Sequence, residues 1–110
     1  MINTSVFIKY FFIINSLSYR WLDNNQLTEI PAQVGNISTL TYIKLNDNQI
    51  TDIPEELGNL TELMDLELQN NLITSVPANL GNLPEQAIID LSDNCLESIP
   101  DEIKYAEANL

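Results

Sequence analysis

L-T-Y-I-K-L-N-D-N-Q-I-T-D-I-P-E-E-L-G-N-L-T, residues 40–61, decides the fold. Its pattern recurs on both sides at a fixed step of 23 residues. Asparagine marks the register at Asn25, Asn48, Asn71 and Asn94, and proline keeps the same step at Pro31, Pro54, Pro77 and Pro100. The apolar positions fall into ladders: Leu17, Leu40, Leu63, then Gln86; Arg20, Ile43, Leu66, Ile89; Leu22, Leu45, Leu68, Leu91. Others follow the asparagine (Leu27, Ile50, Ile73, Leu96) and the proline (Val34, Leu57, Leu80, Ile103). A period of this length marks stacked repeats, in which each coil covers the apolar face of the next.

Within one coil, Tyr42-Ile43-Lys44-Leu45 alternates outward and inward, which is strand periodicity. One strand per coil, always in the same direction, predicts a parallel sheet. The column asparagine sits where the chain leaves the strand, and its amide both donates and accepts, so it can pair main-chain groups in its own coil and the neighbouring one. The prolines are expected to open short helical turns on the opposite side. Glu55-Glu56 and Asp101-Glu102 would then lie at the positive end of those turns. Gly35, Gly58 and Gly81 are expected to end them with positive φ.

With these residues in place, the chain resembles a leucine-rich repeat protein of the 23-residue, Ras-suppressor-like class. The plant-receptor class is also similar, but it usually carries an extra glycine that Leu27-Thr28-Glu29-Ile30-Pro31 and Ile50-Thr51-Asp52-Ile53-Pro54 lack. The resemblance covers residues 17 to about 108. It implies an α/β right-handed solenoid, with a parallel β-sheet on the concave face, short helical turns on the convex face, and a role in protein binding.

The units are expected at 17–39, 40–62, 63–85 and 86–108, with 1–16 as an N-terminal segment and 109–110 as the end. Three readings of 1–16 stay open: a half-coil that caps the stack, a secretory signal, or a stretch unrelated to the repeat. Arg20 takes an inward position, where a charge must escape toward the N-terminal edge. Pro84 has no counterpart in the other coils and is expected to reshape the entry to the last strand, while Gln86 puts a polar group in a leucine ladder. Imperfect ends suggest a monomer or weak end-to-end association.

The net charge of the 110 residues is −12, unevenly placed. Residues 1–22 carry Lys9 and Arg20 with no acid, hence +2; the remainder carries −14. Such a surface repels phosphate backbones, which argues against nucleic acid and for a partner with a basic surface. The chain contains no histidine, which removes Ser-His and Cys-His catalysis and the usual zinc sites, and no catalytic residue, metal ligand or cofactor is expected. Cys95 is the one cysteine, so no internal disulfide forms. Its isolation points to a reducing compartment and a cytoplasmic protein, with secretion the alternative if residues 1–18 act as a signal peptide. No apolar run reaches the length of a membrane span.

The outward strand positions are the candidate partner-binding residues: Tyr19, Trp21, Asp23, Tyr42, Lys44, Asn46, Asp65, Glu67, Gln69 and Asp90. Aromatic residues there are typical anchors, and the acids supply electrostatic selection. Strand spacing of about 4.8 Å predicts that Trp21, Lys44 and Glu67 touch in sequence, as a cation over a ring and then an ion pair. Glu67 and Asp90 should repel. The expected function is a non-catalytic protein-interaction module; the alternative is a fragment of the sensing region of a larger receptor kinase or ligase.

Overall fold

A computed structural model describes residues 26–103 in full and 19–21 by their backbone. Expectations that fall on 1–18, 22–25 and 104–110, among them Asp23, Asn25 and the N-terminal segment, lie outside the described residues. So do the side chains of Tyr19, Arg20 and Trp21.

Four three-residue strands run parallel in chain order: β1 (Tyr19–Trp21), β2 (Tyr42–Lys44), β3 (Asp65–Glu67) and β4 (Ile88–Asp90). The register follows the repeat, pairing Tyr42 with Asp65 and Asp65 with Ile88, then Lys44 with Glu67 and Glu67 with Asp90. In β2, β3 and β4 the middle residue belongs to the core: Ile43, Leu66 and Ile89 are buried, while their neighbours face outward. Opposite the sheet lie 3-10 turns at Ala32–Asn36, Glu55–Asn59, Ala78–Asn82 and Asp101–Ile103. The first three follow Pro31, Pro54 and Pro77, whose extended conformation (φ −64 to −70°) delivers the chain into the turn. Between the two layers lies one continuous aliphatic core running from Leu27 to Ile103. Each fully buried Leu or Ile in it contributes about 1.5–3 kcal/mol of transfer free energy.

The column asparagines join the coils. The N–H of Leu27 donates to Asn48 Oδ1, that of Ile50 to Asn71 Oδ1 and that of Ile73 to Asn94 Oδ1, each at 3.0 Å. Asn71 Nδ2 donates back to Leu45 O of the preceding coil and to Leu68 O of its own, both at 3.0 Å. The main chain changes partner at this point. Leu45 and Asp47 donate forward to Glu67 and Gln69, whereas Gln49 donates backward to Leu27. The reversal needs a left-handed residue just before the asparagine, and Asp47, Asn70 and Asp93 have φ of 61°, 59° and 54°. Short Asp and Asn side chains tolerate that conformation better than most.

Two expectations are corrected here. The glycines do not end the turns in a left-handed conformation, since none has positive φ. They are small because neighbouring turns pack backbone to backbone. A Cβ on Gly35 would meet the Glu56 carbonyl, one on Gly58 the Asn79 carbonyl, and one on Gly81 would stand 2.8 Å from Glu102 Cβ. The second correction concerns Gln86. In the two preceding coils the turn before the strand closes with Leu40 N–H on Ile37 O and Leu63 N–H on Leu60 O. In the third it closes one residue later, with Ala87 N–H on Pro84 O. Pro84 is the cause: it forces Leu83 to extended geometry (φ −65°, ψ 158°), where Ile37 and Leu60 have ψ near 80° (78° and 79°). The slip places Ala87 in the core and turns Gln86 out to solvent.

Candidate functional site on the concave sheet

Alternation puts every second residue of β2, β3 and β4, and of the residues just after them, on one open face. Tyr42, Lys44, Asp65, Glu67, Gln69 and Asp90 are half-buried there, and Asn46 is buried. Of the sequence candidates Tyr19 and Trp21, the backbone lies in β1 beside β2.

The face is rich in carboxylates. Glu67 and Asp65 occupy the same side of β3 two residues apart. Burial first, then the charge and nearness of the Asp65 carboxyl and the Asp90 charge across the strand pair push the Glu67 carboxyl above its ordinary pKa, while Gln69 opposes the shift. Asp65 therefore acts on Glu67 more strongly than the Asp90 neighbour that the register had singled out. The signal for it was present as Asp65-Leu66-Glu67, an i, i+2 pair on one strand face.

The ion pair expected between Lys44 and Glu67 does not form. The groups acting on Glu67 are all acidic or amide, and the Lys44 charge is felt instead at Asp47. The Asp47 carboxyl is held below its ordinary pKa, chiefly by a hydrogen bond from Asn70 Nδ2, then by one from Asn46 Nδ2 at 2.7 Å, with the Lys44 charge adding to these. Across the face, Asp90 Oδ1 accepts from Ser92 Oγ at 2.6 Å and from the Ser92 N–H at 3.0 Å.

The donors of the face are thus directed onto its own carboxylates, and three oxygens receive none: Asn46 Oδ1, Gln69 Oε1 and Asp65 Oδ1 are buried without a hydrogen-bond partner. Sequence reasoning named these residues but had no means of seeing that imbalance. It also passed over Met64, which is exposed beside Asp65 just as Ile88 is exposed opposite it. Cys95 is exposed and unpaired. Among the described residues no group of three His, Cys, Asp or Glu side chains converges on a point where a metal ion fits, and no helix is long and apolar enough to cross a membrane.

Residues 21–73 match the leucine rich repeat family. No curated protein sequence matches the chain. Among solved structures, a leucine-rich repeat protein of Leptospira interrogans is similar with a TM-score of 0.74 and 26% identity over 86% of this chain. A plant peptide hormone receptor, RGFR1 in complex with RGF2, is similar at 0.73 and 34% over 86%. The BIR3–SERK2 complex from Arabidopsis thaliana is similar at 0.68 and 26% over 81%. The chain spans only 25%, 16% and 53% of those three chains. The parallel sheet backed by 3-10 turns and the asparagine column bonded from coil to coil agree with these likenesses, and the chain is a leucine-rich repeat protein.

Proposed function

We propose that the chain is a non-catalytic interaction module whose concave sheet docks a partner protein through a basic surface. The carrying observation is the excess of acceptors over donors on that sheet. Asp65, Glu67 and Asp90 stand together, the Asn46 and Asn70 amides spend their N–H groups on Asp47, and Asn46 Oδ1, Gln69 Oε1 and Asp65 Oδ1 receive no donor. Such a face is complementary to a donor-rich, positively charged surface. Tyr42 supplies aromatic area of the kind that anchors interfaces. Two of the similar structures are complexes, of a receptor with RGF2 and of BIR3 with SERK2, which supports the protein-binding reading. The absence of histidine and the open, shallow sheet support a role without catalysis.

The test is quantitative capture of a partner from the source organism by the wild-type chain beside a Trp21→Ala, Tyr42→Ala, Glu67→Gln variant. Loss of capture with an unchanged thermal melt is expected. Equal capture by both would place docking elsewhere on the molecule.

A second reading is the sensing part of a larger receptor. It is favoured by the small share of the similar receptor chain that this sequence spans, 16%. Further repeats or a catalytic domain in the same reading frame would establish it. A cytoplasmic location is proposed on the lone cysteine, and labelling with a membrane-impermeant thiol reagent on intact cells would overturn it.

A further inference from the structure

We draw no further inference here: the strongest candidate, the exposed apolar patch of Met64 and Ile88 beside the carboxylates of Asp65, Glu67 and Asp90 on the concave sheet, belongs to the docking face already described, and nothing in the structure shows what covers it.

Discussion

Replacing Asn71 by alanine tests the bond column that joins the coils. The amide accepts from the Ile50 N–H and donates to Leu45 O and Leu68 O. The two carbonyls each keep a second donor, Asn48 Nδ2 at 3.0 Å for Leu45 and Asn94 Nδ2 at 2.9 Å for Leu68. The Ile50 N–H keeps none of its side-chain bonding. The expected loss is about 1–3 kcal/mol for that buried donor plus about 0.5–1.5 kcal/mol for each of the two weakened carbonyls, giving about 2–6 kcal/mol in all. Against a domain stability of roughly 5–15 kcal/mol, this is a large share. Urea unfolding followed by far-ultraviolet circular dichroism should show a lower midpoint at unchanged slope, and the Ile50 amide should exchange with solvent much faster. Asn94→Ala should cost less, because Asn94 is half-buried and water can reach the vacated groups. Asn71→Asp separates accepting from donating. Its carboxylate can still receive the Ile50 N–H but faces two carbonyl oxygens, so its folded pKa is raised and its penalty should shrink as pH falls through that pKa. A loss below about 0.5 kcal/mol for Asn71→Ala, with Ile50 exchange unaltered, would mean that the asparagine column does not hold the coils together.

Three further outcomes follow from the packing. Gly58→Ala should destabilise by about 1–3 kcal/mol or more, since the new methyl group meets the Asn79 backbone carbonyl and neither turn can yield alone; a melt equal to wild type would mean the turns stand further apart. Glu67 has a raised folded pKa, so its ionisation costs stability as pH rises from the ordinary glutamate range through that value, and the cost is absent below it. Glu67→Gln should therefore be more stable than wild type at pH 7 by roughly 0.2–1 kcal/mol and indistinguishable in acid, and a lower melting temperature at neutral pH would contradict the carboxylate pairing. Pro84→Thr with Gln86→Leu recreates Leu60-Thr61-Glu62-Leu63 and should restore the turn by one residue. The larger buried side chain should raise the urea midpoint by an equivalent of about 1–2 kcal/mol; no gain would show that something other than proline sets the slip.

The aliphatic ladders, the strand positions and the asparagine column were legible because each recurs at one period, and stacking converts a shared column into a shared contact. The same logic located Lys44, Glu67 and Asp90 side by side across the strands. It failed where a contact is not set by the column. Whether Lys44 pairs with Glu67 depends on side-chain direction, and the amides of Asn46 and Asn70 gather the Asp47 carboxylate, on which the Lys44 charge also acts.

Sequence alone therefore determined the period, the inward and outward faces and the acidity of the exposed one, since these depend on spacing and composition along the chain. Tertiary structure decided why Gly35, Gly58 and Gly81 are glycine, how Pro84 exchanges Gln86 for Ala87 in the core, and which oxygens of the concave face lack donors. Those outcomes depend on the distance between coils and on a count of donors against acceptors, and neither quantity exists until the coils are stacked.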